Sequence, residues 1–256
     1  MSKKIQTAER VSQNDISDNY VYQRSVLAYV EAANLINGDV LEIGTGSGYG
    51  IEMLSKKAKS FLTIDKFASQ VGTEMSQKIE NVEFKQMNVP PLSGLPDNHF
   101  DFVVSFQVIE HIKKDKEFVK EIHRVLKKGG KFIVTTPNKK MSLTRNPWHI
   151  REYTVNELTS LLSNEFTSVE SKGVFGNEVV MQYFEKNKAN VQRIMRFDIL
   201  NLQYNLPRQI LQVPYDIMNR RNRNKLSDSG SHIKMEDYFI SDAKDDCIDL
   251  FYIAEK

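Results

Sequence analysis

The sequence predicts an α/β fold in which helices cover both faces of a mostly parallel sheet. Short apolar runs alternate with longer segments of helical periodicity between residues 40 and 138, as expected of consecutive strand–helix units. The first apolar run ends in a turn with a glycine at every second position, and another apolar run lies close to the last residue. We therefore expect most of the chain to build one sheet that includes this last run.

The elements follow in order along the chain. A leading helix is expected over 19–37, because apolar residues recur there at helical spacing and Gly38 follows. Further helices are expected from about Ile51, around His111 after the fourth run, and from about Thr154. Lys127 to Gly130 reads as the end of the helix before the fifth run. The runs that we interpret as strands one to seven are 40–43, 61–65, 82–88, 100–105, 131–138, 166–170 and 247–254.

The segment between the last two predicted strands is longer than a simple connection needs. We divide the chain into a core at 1–175, an insertion at 176–246 and a final core strand at 247–256. Apolar spacing predicts helices in the insertion, with a break at Leu206-Pro207, an interruption at Pro214 and a flexible loop at 227–231. The insertion is either a helical cap over the substrate side of the sheet or an element for packing or for forming a homodimer.

Composition places few limits on function. The 256 residues carry a net charge of +2, although a basic cluster stands out at 220–225. Cys247 is the single cysteine, which excludes an intrachain disulfide and favours a reducing compartment. The first residues show no signal-peptide pattern, and no run approaches about 18 apolar residues. We therefore expect a cytoplasmic protein without a membrane span.

The glycine-rich turn after strand one predicts a nucleotide-binding element. Glu42 precedes three glycines at alternate positions, Gly44, Gly46 and Gly48, and a helix follows. Such a turn brings backbone N–H groups close to a ligand. Tyr49 stands where a dinucleotide fingerprint requires a small residue, which argues against an NAD-dependent reductase. The stretch resembles motif I of class I S-adenosylmethionine (SAM)-dependent methyltransferases. The resemblance implies a Rossmann-like sheet of seven strands whose last strand is antiparallel.

Other positions extend the cofactor site. Asp65 ends strand two, where a carboxylate can accept hydrogen bonds from ribose hydroxyls. The resemblance implies that residues after strand three hold adenine, that residues after strand four line the methionine end, and that the leading helix closes over it. Gln23 and Arg24 are candidates for that last role, and a solvated helix face is the alternative. The residues that we assign to SAM binding are Glu42, Gly44, Thr45, Gly46, Gly48, Asp65, Lys66, Met87, Asn88, Phe106 and Gln107.

His111, with Glu110 beside it, is the candidate catalytic group. Methyl transfer to a hydroxyl benefits from a base that takes the proton. We expect His111 in the first turn of a helix, whose positive end favours the neutral, proton-accepting imidazole. The alternative is that both residues only cap and pack that helix. Trp148, His149, Arg151 and Tyr153 are assigned to the acceptor pocket, with packing of their loop on the sheet as the alternative.

A second resemblance suggests a metal. The segment is similar to the E-x-x-E-H pattern of ubiquinone-pathway O-methyltransferases and of small-RNA 2′-O-methyltransferases, which hold a divalent cation. Glu110, His111 and His149 match, but Gln107 replaces the first glutamate, and Mg²⁺ prefers carboxylate oxygen.

The function expected is SAM-dependent O-methylation of a small molecule or a glycan sugar. One alternative is an RNA 2′-O-methyltransferase that uses the metal and the basic insertion. Nucleic acid is the less favoured acceptor, because the basic cluster lacks interleaved aromatic residues. Another alternative is a SAM-binding scaffold without catalysis.

Overall fold

A computed structural model describes residues 11–256 and shows a central sheet with helices on both faces. The helices are α1 (Asn19–Leu35), α2 (Ile51–Ser55), α3 (Gln70–Lys78), α4 (Asp115–Val125), α5 (Val155–Ser163), α6 (Glu178–Met195), α7 (Leu202–Asn205), α8 (Arg208–Lys225) and α9 (Ser227–Gly230). The strands are β1 (Asp39–Ile43), β2 (Ser60–Asp65), β3 (Val82–Gln86), β4 (Phe100–Phe106), β5 (Leu126–Pro137), β6 (Ser168–Gly176), β7 (Tyr238–Asp242) and β8 (Asp249–Glu255).

The strands lie in the order β3-β2-β1-β4-β5-β8-β6-β7. Strands β1 to β5 pair in parallel, and β8 is inserted antiparallel between β5 and β6. Ala254 of β8 is in register with Phe132 on one side and Val169 on the other. The mostly parallel sheet and the antiparallel last strand are confirmed.

Within residues 11–256 the sheet has eight strands, so the expected count of seven was wrong. The additional strand, β7, pairs antiparallel with β6 at the edge of the sheet and belongs to the insertion. Tyr238 in this strand is buried, whereas Phe239 beside it is exposed. A run of only five residues, flanked by acidic residues, gave no clear strand signal in the sequence.

Apolar side chains form one layer on each face of the sheet. On one face, Phe118 of α4 and Leu158 of α5 are fully buried. On the other face, Leu27 of α1, Leu54 of α2 and Val180 of α6 are buried. Burial of helices on both faces explains why the central strands are nearly continuous apolar runs.

Three local expectations about boundaries were wrong. Lys127 to Gly130 lies within β5 rather than ending a helix, since α4 stops at Val125 and the chain turns directly into the strand. The predicted flexible loop at 227–231 contains the short helix α9. Pro214 lies inside α8 without ending it.

The basic cluster at 220–225 holds the insertion against the start of α1. The carboxylate of Asp18 is fully buried and lies 2.7 Å from Arg220 and 2.9 Å from Arg223. Tyr20 stacks on Tyr183 of α6, with 4.3 Å between the ring centroids. Two of the cluster's cations are therefore used in internal ion pairs.

No helix in the described residues is both long and apolar enough to cross a bilayer.

We expect Asp18→Asn to lower the free energy of unfolding by about 3 kcal/mol, because two largely buried arginine side chains lose their shared counter-charge. Chemical denaturation measures the loss, and hydrogen exchange should increase first in α8. Asp228→Asn is the matched control, since Asp228 lies exposed in α9. Equal stability of the two variants would contradict the anchoring role.

Candidate active site

The predicted site residues gather along one edge of the sheet, which we call the site edge. Strands β1, β2, β4 and β5 end there, and β8, being antiparallel, begins there. Open α/β sheets bind ligands at this edge, because the loops after the strands leave a crevice. Glu42, Asp65, Phe106 and Asp249 each lie at or near the strand end that meets the site edge.

The glycine turn after β1 has the backbone conformation that its sequence requires. Gly44, Gly46 and Gly48 all have positive φ, at 100°, 53° and 76°. A Cβ on Gly44 would lie 2.4 Å from a methyl group of Val108, so only glycine fits there. Gly46 is exposed, and a Cβ there would have no side chain within 4 Å. The turn therefore presents bare backbone to the crevice.

Asp65 ties this turn to the next strand. Its carboxylate accepts a hydrogen bond from the backbone N–H of Gly46 at 3.1 Å and another from Phe67 at 2.9 Å. The backbone N–H of Met87 donates to the Asp65 carbonyl, which brings the end of β3 alongside. Asn88 is exposed beside it. Four of the residues assigned to the nucleoside thus lie around one crevice.

Two further assigned positions lie on either side of these residues. Lys66 is exposed, and its ammonium lies 4.8 Å from the centre of the Phe67 ring. Thr45 is buried, and its hydroxyl lies 2.7 Å from that of Thr63. Thr45 therefore packs beneath the glycine turn, whereas Lys66 is on the solvent side of Asp65.

Glu42 lies beneath the turn in a buried chain of hydroxyl groups. Tyr29 donates to one carboxylate oxygen at 2.9 Å, and Thr63 donates to the other at 2.5 Å. Burial raises the pKa of Glu42 to about 7, although both hydrogen bonds act in the opposite direction. The motif's acidic residue thus has a pKa raised towards neutral pH and is linked to the leading helix through Tyr29.

At the end of β4, Gln107 connects two elements that are distant in sequence. Its φ is 56°, an uncommon conformation for a residue with a side chain. The side-chain amide donates to Asp249 of β8 at 3.2 Å and to Thr135 of β5 at 3.3 Å. Phe106 packs edge-on against Tyr29, with 4.8 Å between the ring centroids. Both residues therefore lie at the site edge.

Arg24 of α1 reaches the same place. Its guanidinium lies 2.7 Å from the Asp249 carboxylate, and both side chains are largely buried. Burial raises the pKa of Asp249, and Arg24 partly opposes this effect. Gln23 instead bonds to Asn19 along its own helix. Asp249 was missed from the sequence, and the available signal was an acid at the start of the antiparallel strand.

Glu110, His111 and His149 come together beside this network. Their candidate ligand atoms all lie within 4.8 Å of one another, and the two imidazole rings are 5.0 Å apart at their centroids. Glu110 is buried and accepts a hydrogen bond from Thr136 at 3.0 Å. Burial raises its pKa, whereas the two neighbouring imidazoles lower it. The structure thus unites three residues that are up to 39 positions apart.

The surroundings of His111 differ from the expected helix start. Residues Ile109–His111 form a single 3-10 turn, and α4 begins only at Asp115. The helix dipole expected at His111 is therefore absent from the described structure, and that expectation was wrong. Instead, the Nδ1 of His111 lies 3.0 Å from the carbonyl oxygen of Trp148. Since a carbonyl only accepts, the proton is on Nδ1 and the basic nitrogen of the neutral ring is Nε2.

His149 is held by two hydrogen bonds. Its Nδ1 lies 2.7 Å from Glu152, and its Nε2 lies 2.8 Å from the amide nitrogen of Asn146. The oxygen of that amide accepts from the backbone N–H of Trp148, so the amide nitrogen faces the ring. His149 Nε2 is therefore an acceptor, and the neutral ring carries its proton on Nδ1.

The loop that carries these groups is fixed at several points. The indole N–H of Trp148 donates to Asp216 of α8 at 3.0 Å. Tyr153 is fully buried and donates to Asp115, which also pairs with the exposed Arg151. The backbone carbonyl of Glu110 accepts from two N–H groups of this loop. Trp148 and His149 thus lie next to His111, whereas Arg151 and Tyr153 fasten the loop to α4.

We expect Glu42→Gln to remove a pH dependence of stability. The unfolded carboxyl loses its proton near its ordinary pKa of 4.5, whereas the folded one keeps it up to about 7. Over that range the folded state binds more protons, so rising pH favours unfolding. The unfolding free energy of the wild type should fall by roughly 3 kcal/mol relative to the variant between about pH 4.5 and 7.5. Urea titrations of the unliganded protein across this range measure it, and parallel profiles would contradict the assignment.

The chain resembles known proteins in sequence and in fold. A family model described as a methyltransferase domain matches residues 41–134, which contain the glycine turn and strands β2 to β4. A "Probable S-adenosylmethionine-dependent methyltransferase" of Mycolicibacterium smegmatis is 30% identical over 259 residues, covering 97% of this chain and 93% of that protein. A ubiquinone biosynthesis O-methyltransferase of Pseudomonas syringae is 26% identical over 112 residues, covering 43% of this chain and 48% of the relative.

Solved structures share the fold. A SAM-dependent methyltransferase of Thermotoga maritima aligns with a TM-score of 0.55 at 17% identity and covers 93% of this chain and 92% of its own. The fold alone does not identify the family. The match to the Mycolicibacterium smegmatis protein does, because it extends over nearly the full length of both chains. The chain belongs to the SAM-dependent methyltransferases, and SAM is its cofactor.

Proposed function

We propose that this methyltransferase methylates a hydroxyl oxygen of a small molecule or a glycan sugar, with His111 as the general base. The observation that carries the proposal is the hydrogen bond from His111 Nδ1 to the Trp148 carbonyl, beside the buried Glu110. This arrangement makes Nε2 the proton-accepting nitrogen and holds the ring at the site edge. A hydroxyl acceptor, unlike an amine, needs such a base because its own pKa is high.

The residues around the crevice fit the cofactor. The bare backbone at Gly46 and the carboxylate of Asp65 suit a ribose and the adjoining chain. Met87 and Asn88 suit the adenine, and Phe106 and Gln107 suit the methionine end. When bound, SAM supplies a methyl group on a positively charged sulfur, which is already an electrophile. The protein then has to align the acceptor and exclude water.

Glu110 acts through its neighbour in this proposal. When His111 takes the acceptor proton, the ring becomes a cation next to the Glu110 carboxyl group. Burial raises the pKa of Glu110, whereas a positive charge on His111 lowers it and stabilises the ionised carboxylate. Glu110 is thus a positioning and charge-balancing residue, and Trp148 and His149 form the wall of the acceptor side.

The relatives support oxygen as the acceptor atom. The match to a ubiquinone biosynthesis O-methyltransferase covers less than half of either chain, so it supports the chemistry rather than the substrate. A glycan sugar fits this chemistry as an acceptor, because hydroxyls are its only common nucleophiles.

A second candidate is metal-dependent O-methylation, for which the cluster of Glu110, His111 and His149 is the specific observation. Both ring nitrogens of His149 are engaged by Asn146 and Glu152, so a cation would have to displace one of these bonds. Gln107 supplies an amide where a carboxylate would strengthen the site. The base mechanism is therefore favoured over the metal.

RNA is a less favoured acceptor, because two arginines of the basic cluster are used in internal ion pairs. Arg220 and Arg223 are paired with Asp18 rather than presented for phosphates. A SAM-binding scaffold differs from an enzyme only by the absence of turnover, which is measured as transfer of label from radiolabelled SAM.

We expect Asp65→Ala to weaken binding of S-adenosylhomocysteine by about 1.5–3 kcal/mol, because charge-assisted hydrogen bonds to the ribose are lost. Titration calorimetry measures this loss. Glu80→Ala is the control, since Glu80 is an exposed carboxylate at the end of the same β2–β3 connection. Unchanged affinity of the Asp65 variant would remove it from the ribose site.

We expect His111→Gln to reduce methyl transfer roughly 10²–10⁴-fold while leaving S-adenosylhomocysteine binding unchanged, because only the base is lost. The assay follows label from radiolabelled SAM into cell extract separated into small-molecule, lipid–glycan, protein and RNA fractions. His232→Ala is the control, since this histidine is exposed. Full turnover by the His111 variant would exclude a catalytic role.

The same assay with EDTA separates the candidates. Label in small molecules or glycans that is indifferent to EDTA supports the base mechanism. Label that EDTA abolishes would overturn it in favour of the metal, and label in RNA would replace the acceptor class. No label in any fraction, with S-adenosylhomocysteine still bound, would favour the scaffold.

A further inference from the structure

Exposed apolar side chains are concentrated in one part of the insertion. Nine of the sixteen large apolar residues that are exposed in the described structure lie within 197–218. The most exposed, at 87%, 87% and 71%, are Phe197, Ile199 and Leu200, which form the turn after α6 and which we call the apolar tip. Exposed apolar groups this close together usually mark an interaction surface.

The structure holds the apolar tip outward. Helices α6 and α8 are joined by hydrogen bonds from Asn222 to Asn187 and from Asn190 to Asn222. Asp198 accepts hydrogen bonds from two backbone N–H groups at the start of α7. Arg145 donates to the carbonyls of Gln203 and Tyr204. The backbone around the tip is thus fixed by polar contacts, while its apolar side chains face solvent.

Helix α8 continues the apolar surface. Ile210, Val213 and Ile217 are exposed at a spacing of three and four residues, which places them on one face of the helix. Arg221 follows four residues later on the same face and is also exposed. The adjoining side of the helix carries Asp216 and Arg220, which contact the rest of the protein. Helix α8 is therefore amphipathic with an unburied apolar face that ends in a cation.

The charge beside the tip is positive. Arg193 and Arg196 occupy the last turn of α6, and neither has a carboxylate at ion-pair distance among residues 11–256. Both carboxylate oxygens of Asp198, the acid nearest to them in sequence, are engaged by backbone N–H groups. A two-fold contact between copies of the chain through this surface would bring arginines together without acids to neutralise them. An anionic surface complements it instead.

A groove beside α6 has the same combination of properties. It encloses about 260 Å³ between this helix and the loop after β5. Its walls carry Met141, Leu143, Phe184 and Val191, together with Lys140 and Lys188. Apolar walls with cations at the rim suit a molecule with an apolar chain and an anionic head.

From these features we propose that the apolar tip and the exposed face of α8 dock on an anionic phospholipid bilayer. Phe197, Ile199 and Leu200 enter the boundary between headgroups and acyl chains, while Arg193, Arg196 and Arg221 contact the anionic headgroups. Neither element spans the bilayer. Helix α8 is also linked to the site, because its Arg208 donates to the Ile150 carbonyl and Trp148 donates to its Asp216. Docking therefore places the His149 loop near the membrane surface.

Vesicle flotation of the full chain tests the proposal. We expect the protein to bind vesicles of phosphatidylcholine in which about one lipid in three is the anionic phosphatidylglycerol. Binding to vesicles of phosphatidylcholine alone should be much weaker. High salt should reduce the difference, since it screens the arginines. The triple variant Phe197→Ser/Ile199→Ser/Leu200→Ser should bind roughly tenfold less or weaker still.

Matched variants keep the result interpretable. Leu35→Ser/Val179→Ser removes two exposed apolar side chains elsewhere and should bind vesicles as the wild type does. Thermal unfolding and S-adenosylhomocysteine binding should be unchanged in the triple variant, which shows that it is folded. Equal vesicle binding by the triple variant and wild type would overturn the proposal. The proposal would also be overturned if the wild type were a dimer that does not bind vesicles and the triple variant were a monomer. A monomeric wild type that binds no vesicles would overturn it as well.

Discussion

The arrangement of strands at the site edge is the constraint on which the rest of the structure depends. Parallel pairing of β1, β2, β4 and β5 brings four loops to the same edge, so residues from distant parts of the sequence meet there. The antiparallel β8 then adds its first residue, Asp249, to that edge. Gln107 and Arg24 both bond to Asp249, and through it the end of β4, the last strand and the leading helix are joined. Reversing β8 would remove the acid from the site and leave Arg24 with a buried, unpaired charge.

The insertion is connected to the site through a chain of contacts. Asp18 holds α8 against α1, and Asp216 on the same helix accepts the indole N–H of Trp148. The carbonyl of Trp148 in turn sets the tautomer of His111. A segment distant in sequence thus contacts the residue whose carbonyl fixes the tautomer of the proposed base.

Much of the core could be predicted from sequence, because glycine spacing and apolar runs are local signals. The glycine pattern at 44, 46 and 48 predicts positive φ values, and Asp65 marks the predicted end of a strand. What the sequence could not show depends on long-range contacts. The 3-10 turn at His111 arises because the chain must first turn towards Trp148 before α4 starts. Strand β7 exists only because β6 offers it an edge, and Arg220 is internal only because Asp18 is buried opposite it.

The charges of the site point to the ligand that it is built to receive. Burial raises the pKa of Glu42, Glu110 and Asp249, so each carboxyl group is costly to ionise in the described structure. Arg24 offsets this cost only at Asp249. A cation bound at the site edge would stabilise the ionised acids, and SAM carries positive charge on its sulfur and its amino group. Cofactor binding near neutral pH should then be coupled to proton release, chiefly from Glu42, whose pKa is about 7. The same acids would favour SAM over S-adenosylhomocysteine, because the sulfur of S-adenosylhomocysteine is neutral and is attracted less strongly.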